Sequence, residues 1–367
     1  MRVGFVSDAR EIGGSEVWLA TMLPLLKARG LSPYVALPEG ADLGPIPTRL
    51  EAAGIPVHRY REPKAIPEAG AYLVSTWFPH NLRRLLAKLK PPRIALVHDQ
   101  VEIFYPLGLH LAYRLGYRLL QAPLLRQADG VITVSAWAAR WLREVHRVPR
   151  VYATKNGVDA SRFFPAASRE EKARLKADFG VEGPLVLHVG RFSPSLEKNQ
   201  LAALLAAKGL PLTLAFAGDG PTRGPLMALA QALGARNVRF LGRVAEMPRL
   251  YRAADLFFFP TLGENQSLAT LEAMASGLPV LTSPIPAQAE LVEDGIRGRL
   301  VPPRPRALRR ALKDFLAHPE TWARWGENAR AYVEKTHTLE DSADAFMAAL
   351  GKALKTWRMT GSSSAAA

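Results

Sequence analysis

The feature that most constrains this chain is a strand–helix alternation that runs, stops and starts again. Short apolar runs such as RVGFVSD (2–8), SPYVALP (32–38), AYLVSTW (71–77), RIALVHD (93–99) and DGVITVS (129–135) are separated by longer stretches. Two of those stretches, 15–30 and 78–90, carry helical spacing. Apolar runs of this kind, alternating with helices, read as parallel strands covered on both faces. The rhythm breaks around DASRFFPAAS (159–168). It resumes with PLVLHVG (184–190), LTLAFAG (212–218), VRFLG (238–242), LFFFP (256–260) and PVLTS (279–283). Two doubly wound α/β domains in tandem follow, and 367 residues suit two cores of ordinary size. In such sheets ligands bind at the carboxyl ends of the strands, so the expected place is a cleft between the domains.

Composition excludes several classes. No apolar run reaches the roughly 20 residues of a membrane span. The opening MRVGFVSDARE enters a strand directly, without the apolar core of a secretion signal, and the chain has no cysteine for disulfides or thiolate metal sites. The expectation is a cytoplasmic protein, at the inner face of the membrane if it meets lipid at all. The net charge of +15 is spread over both halves and attracts polyanions without naming one. It is accompanied by no zinc-finger or RNP-like pattern, so nucleic acid is not an expected partner.

The chemistry concentrates in LGENQSLATLEAMASGLPV (262–280), where Glu264 and Glu272 stand eight positions apart. With a helix starting near Gln266 or Ser267, Glu264 lies in the preceding loop and Glu272 one to two turns inside. Eight helical residues span about 12 Å, too far for two carboxylates to share one proton. Between them lies a helix N-terminus, whose unpaired N–H groups suit a phosphate. Carboxylate, anion site, carboxylate matches a nucleotide sugar; an ordinary solvated helix would also accommodate the spacing. Arg191 and Lys198, in VGRFSPSLEKNQ (189–200), supply cations on a strand-end loop. Gly13 and Gly14 open the first helix and let backbone approach a ligand, although no dinucleotide fingerprint is present. His98 ends a strand of the first domain, a position open to either a cleft role or a structural one. No Asp-x-Asp pair occurs to anchor a divalent metal on a diphosphate, so neither a metal nor another cofactor is expected.

These pieces resemble, in order and spacing, the retaining GT-B glycosyltransferases of family GT4. The matching segments are GGSE (13–16), VHD (97–99), ITVSAW (132–137), NGVDASRFFP (156–165), VGRFSPSLEKNQ and AGDGP (217–221). FLGRV (240–244), the Glu264–Glu272 segment and LVEDGIRGRLVPP (291–303) complete the series. The resemblance implies two Rossmann-like domains facing each other across a cleft. Residues 1–165 would form the acceptor side, with a C-terminal helix at about 340–357 packing back on it. Residues 166–339 would form the donor side, and 358–367 a disordered or extraneous tail. Arg191 and Lys198 would bind the donor diphosphate, Glu264 the sugar hydroxyls and Glu272 the ribose. The backbone from Asn265 through Gln266 and Ser267 to Leu268 would lie along sugar and phosphates. Gly14 would approach the phosphate, His98 the reacting sugar, and Arg243–Val244 the base. One departure stands out: the family's Gly-Phe-Gly after the first glutamate is here Asn265-Gln266-Ser267, which bears on donor-sugar identity.

The implied reaction is metal-independent sugar transfer with retention, from a nucleotide diphosphate to an acceptor hydroxyl, in carbohydrate or cell-envelope biosynthesis. The acceptor is a sugar, a glycan or a lipid-linked molecule. The basic stretch 80–93 and the aromatic- and Leu-rich stretch 102–120 suit peripheral contact with an anionic membrane, or the outside of an ordinary α/β domain. Two other classes fit the same scaffold. A nucleotide-sugar epimerase or hydrolase would draw on Asp99 and Glu102, and a non-catalytic nucleotide-sugar binder would need neither.

Overall fold

The fold is given by a computed structural model, and the structure describes residues 1–364. The chain divides into two compact units. One comprises Met1–Glu102, Leu111–Asn156 and the C-terminal segment from Leu339; the other comprises Ile103–His110 and Gly157–Thr338.

The first unit holds β1 (Arg2–Ser7), β2 (Ser32–Pro38), β3 (Val57–Tyr60), β4 (Ala71–Ser75), β5 (Arg93–Val97), β6 (Gly130–Thr133) and β7 (Val151–Ala153). They form one parallel sheet in the order β3-β2-β1-β4-β5-β6-β7. Val3, Phe5, Val35, Leu73, Ile94 and Ile132 are buried in one cluster, as strands covered on both faces require. The C-terminal helix, Leu339–Ser364, belongs to this unit. It places Phe346 6.2 Å from the Phe5 ring and 5.2 Å from that of Trp18. This helix runs through most of the segment expected as a tail, and 365–367 lie outside the described residues.

The second unit holds β8 (Leu185–Val189), β9 (Thr213–Ala217), β10 (Val238–Gly242), β11 (Leu256–Phe259), β12 (Val280–Thr282) and β13 (Gly298–Leu300), in the order β10-β9-β8-β11-β12-β13. Its division from the first unit falls after Asn156, ahead of the 165/166 boundary expected from sequence. The cause is packing, since Val158 and Phe163 are buried in the second unit's core with Leu187, Phe257 and Leu271.

Both sheets reverse direction once. In the second, the chain steps outward from β8 through β9 to β10, then returns to add β11 on the other side of β8. The carboxyl ends of β8 and β11 therefore flank a topological switch point, where an open parallel sheet leaves a crevice. The ends of β1 and β4 do the same in the first sheet. Among the described residues no helix is long and apolar enough to cross a membrane.

Candidate active site

At the switch point of the second unit, the loops after β8 and β11 are joined to each other. The N–H of Leu262 donates to the Glu197 carbonyl at 2.7 Å, and Thr261 Oγ1 donates to the same oxygen at 3.0 Å. Asn199, held at φ 54°, donates from Nδ2 to the Pro260 carbonyl at 3.0 Å. Gln200 Nε2 donates to the Arg191 carbonyl at 3.0 Å, which fixes the backbone at the exposed arginine. The 190–199 loop is thus a braced platform.

Two glycines shape that platform from below. Gly218 has φ 137° and Gly220 has φ 146°. A Cβ on Gly218 would fall 2.2 Å from the Gly190 carbonyl oxygen, and one on Gly220 would fall 2.4 Å from that of Phe192. Arg191 lies between those two contacts. Phe192 pins the other face, buried with its ring 6.0 Å from Phe216. Neither glycine was singled out from sequence beyond its place in AGDGP. The signal was a Gly-x-Gly directly after a strand, the usual mark of close backbone approach.

The bracing brings Lys198 and Glu264 together in an ion pair, with side chains only 17% and 12% exposed. Burial pushes the Glu264 carboxyl up, and Lys198 pulls it partly back down. His188, beneath them, shares a hydrogen bond with the Lys198 carbonyl at 3.0 Å from Nε2, so that nitrogen carries the proton. Burial lowers His188 to about 4 and keeps it neutral.

The helix Leu268–Ala275 begins one to two residues after the start expected near Gln266 or Ser267. Ser267 is its cap, accepting from the Thr270 N–H at 3.1 Å. Asn265, Gln266 and Ser267 are buried, and Leu268 opens the first turn. Glu272, one turn inside, accepts a hydrogen bond from Tyr251 Oη at 3.0 Å. Burial raises its carboxyl to about 7, against the lowering effects of Tyr251 and the Arg162 charge. Tyr251 was not foreseen: it lies 21 positions upstream on another helix, and only the fold joins them. Arg243, exposed, and Val244 follow β10, two strands away from β8.

The remaining candidates lie in the first unit. Gly13 precedes the first helix, Gly14–Ala28, and its N–H donates to Glu16 Oε2 at 3.1 Å. Glu16 is fully buried and also accepts from Ser7 and Ser15, so the Gly13–Gly14 turn is tied to the end of β1. Asp8, at the same end, accepts from the Trp77 N–H and from Asn81 Nδ2, both at 2.7 Å. His98 follows β5, with its ring 4.9 Å from that of Trp18. Burial lowers its pKa to about 4, and among the described residues Nε2 has no hydrogen-bond partner. It borders a cavity of about 310 Å³ lined also by Trp77, Asp99, Tyr113 and Tyr117. Among the described residues no three His, Asp or Glu side chains group closely enough to hold a metal ion.

What the two units share with known proteins fits this arrangement. Residues 12–162 match the model of Glycosyltransferase Family 4, and residues 169–332 match that of the Glycosyl transferases group 1. The alpha-D-kanosaminyltransferase of Streptomyces kanamyceticus is 29% identical over 231 residues, 60% of this chain and 59% of that protein. A D-inositol 3-phosphate glycosyltransferase of Mycolicibacterium gilvum is 31% identical over 241 residues, 62% of this chain and 53% of that protein. The chain thus spans somewhat over half the length of these relatives. Among solved structures, Anabaena Alr3699/HepE in complex with UDP-glucose superimposes with a TM-score of 0.79 at 22% identity, over 96% of this chain and 99% of that one. With both sheets accounted for by these models, the chain belongs to the GT4-type glycosyltransferase family and has its two-domain, Rossmann-like GT-B fold.

Proposed function

We propose that the chain transfers a sugar from a nucleotide diphosphate to an acceptor hydroxyl, with retention and without a metal. The observation that carries the reading is the second unit's switch point. Lys198 and Glu264 are paired there, beside a braced Arg191 and the N-terminus of the helix that presents Glu272. Arg191, Lys198 and the first-turn N–H groups would bind the diphosphate and stabilise the charge growing on it as the sugar leaves. A diphosphate would compete with Glu264 for the Lys198 ammonium, and Glu264 would turn to the sugar hydroxyls. Glu272 would take the ribose, with Arg243–Val244 near the base. Gly13 and Gly14 would approach the phosphate, and His98, neutral at pH 7, would hydrogen-bond the reacting sugar. The departing phosphate oxygen would accept the acceptor's proton on the same face, which accounts for retention without a protein nucleophile. The relatives' printed names, a kanosaminyl- and an inositol-phosphate glycosyltransferase, support sugar transfer as the reaction class. The UDP-glucose complex of the Anabaena protein makes UDP-sugars the first donors to try. The acceptor would be a sugar, a glycan or a lipid-linked molecule, met in the cytoplasm or at the inner face of the membrane.

Thermal-shift titration with UDP, GDP, ADP and their glucose, mannose and N-acetylglucosamine forms, in EDTA, tests the donor site directly. One nucleotide should raise the midpoint without metal. R191A and K198A should lose that rise and lower transfer by roughly a hundredfold or more. Full transfer by both variants would refute the site, and nucleotide binding without turnover on any acceptor would leave a binding protein instead.

A further inference from the structure

The first unit holds a second cavity, of about 120 Å³, lined by none of the residues proposed to hold the donor. It lies at the carboxyl ends of three neighbouring strands, the side on which open parallel sheets bind ligands. Asp8 and Arg10 follow β1, Glu39 follows β2, and Arg61 follows Tyr60 at the end of β3. Asn81 and Arg84, from the helix Pro79–Lys88, complete the lining. Three guanidinium groups on three separate elements thus line one small polar cavity. All three arginines are exposed, so solvent reaches them, and among the described residues none of the three groups makes a hydrogen bond or an ion pair. The two carboxylates of the cavity leave them uncompensated for different reasons. Asp8 is buried and already accepts from the Trp77 and Phe78 N–H groups and from Asn81 Nδ2. Glu39 is exposed, and among the described residues it forms no ion pair. Tyr60 is buried and donates to the Ser7 carbonyl at 3.0 Å.

We propose that this cavity binds the anionic group of an acidic sugar acceptor, a phosphate ester or a uronic carboxylate. Like charges gathered on a concave surface repel one another and raise the local concentration of anions. Guanidinium forks match the oxygens of phosphate and carboxylate, and Arg10, Arg61 and Arg84 bring one fork from each of three elements. A bare anion would also meet Asp8 and Glu39, which disfavour it. A saccharide carrying the same anion turns Glu39 and the Asn81 carbonyl oxygen into acceptors for its hydroxyls. Of the lining residues only Pro38, Pro63 and Leu85 are apolar, which argues against an apolar occupant. The helix Pro79–Lys88 contributes Pro79 and Leu82 to the cavity beside His98, and Asn81, Arg84 and Leu85 to this one. The anion site is therefore next to the cavity in which His98 would meet the reacting sugar. Its assignment to the acceptor rests on the sugar-transfer reading; the binding of an acidic sugar does not.

Isothermal titration of the full chain at fixed ionic strength, without nucleotide, tests the site with glucose 6-phosphate, glucuronate, glucose and inorganic phosphate. Glucose 6-phosphate or glucuronate should bind saturably and more tightly than inorganic phosphate, and glucose should not bind; which of the two binds identifies the anion. R10A/R84A should weaken that binding about tenfold or more, while keeping the thermal midpoint and its nucleotide-induced rise. R83A/K88A removes two exposed charges from the same helix outside the cavity and should leave the binding unchanged. R191A, in the other unit, should leave it unchanged too. No binding of either acidic sugar, or equal binding by R10A/R84A, would overturn the proposal. So would an equal loss in R83A/K88A, which would mean diffuse charge, or a loss in R191A, which would put the anion in the donor site. Inorganic phosphate binding as tightly as either sugar would overturn the saccharide. Binding lost in R10A/R84A, in a chain that shows no nucleotide-induced rise, would refute the donor site and leave the anion site standing.

Discussion

At the residue scale, the two glutamates that organise the candidate site live in different electrostatic environments. Glu264 has a cation to meet, whereas Glu272 has a neutral phenol. Burial therefore raises Glu272 from the ordinary value of 4.5 to about 7. A carboxyl raised in the fold binds protons that the unfolded chain has already released. Stability is lost as pH climbs from 4.5 toward 7 and stays lost above it, by at most about 3 kcal/mol. Replacing Glu272 by Gln removes that titration. The thermal midpoint of the unaltered chain should fall more steeply than that of E272Q between about pH 5 and pH 8. Donor affinity should move the other way, rising with pH as the carboxylate forms to accept the ribose hydroxyls, and E272Q should flatten it. Superimposable midpoint profiles would show that another group titrates. Lys198 makes the complementary case: K198A strands Glu264 in a buried site and should cost on the order of 3 kcal/mol in urea unfolding, much of it regained in K198A/E264Q. Both carboxylates and both cations could be read from spacing and strand ends. Tyr251 could not, because nothing local in the sequence links a residue to a partner 21 positions away.

At the element scale, what the sequence made legible follows burial. Strands inside the sheets, such as β1, β5, β8 and β11, are buried on both faces and appear as unbroken apolar runs. The short strands β3, β7 and β13 sit at sheet edges, where the half-buried His58 and the exposed Arg59 and Arg299 erase the pattern. The same logic governs the loops. The helix start at Ser267 was legible because a cap is a local device, and here Ser267 supplies the cap oxygen at a position where the family pattern has glycine. Removing it should cost about 1 kcal/mol, so S267A should unfold at a lower urea midpoint with an unchanged slope. Of the platform under Arg191 only the Gly-x-Gly of 218–220 was legible, and not what it packs on, since that depends on backbone from two loops meeting closely. A methyl group on Gly220 would have to displace the Phe192 carbonyl. G220A should therefore lose most of the nucleotide-induced thermal shift while keeping the circular-dichroism spectrum of a folded α/β protein. If G220A binds nucleotide as tightly as the unaltered chain, the glycine does not position Arg191.

At the scale of the whole molecule, each unit has its own sheet and its own core, but they are assembled from the chain in different ways. The second unit is built almost entirely from one continuous stretch, Gly157–Thr338. The first is closed by a helix that arrives nearly 200 residues after its last strand, with Phe346 fully buried between Phe5 and Trp18. Sequence alternation announced two sheets but could not say which core the last helix joins, because an amphipathic stripe specifies that a helix packs and not on what. Its energetic consequence is local. Truncating a buried Phe to Ala removes its transfer free energy and leaves a cavity, at a cost of about 3 to 5 kcal/mol. F346A should lower amide-exchange protection through β1, β5, β6 and the first helix, and spare β8, β9 and β11. Excess UDP, or whichever nucleotide the titration selects, should do the reverse: it stabilises the fold that binds it, and the residues proposed to grip the diphosphate lie in Gly157–Thr338. Hydrogen exchange on F346A with and without nucleotide separates the two effects peptide by peptide. Loss of protection confined to the first unit, with nucleotide protection retained in the second, would show two cores that fail independently. Equal loss across both sheets would show that they unfold as one, and that the C-terminal helix secures the donor site as well as its own core.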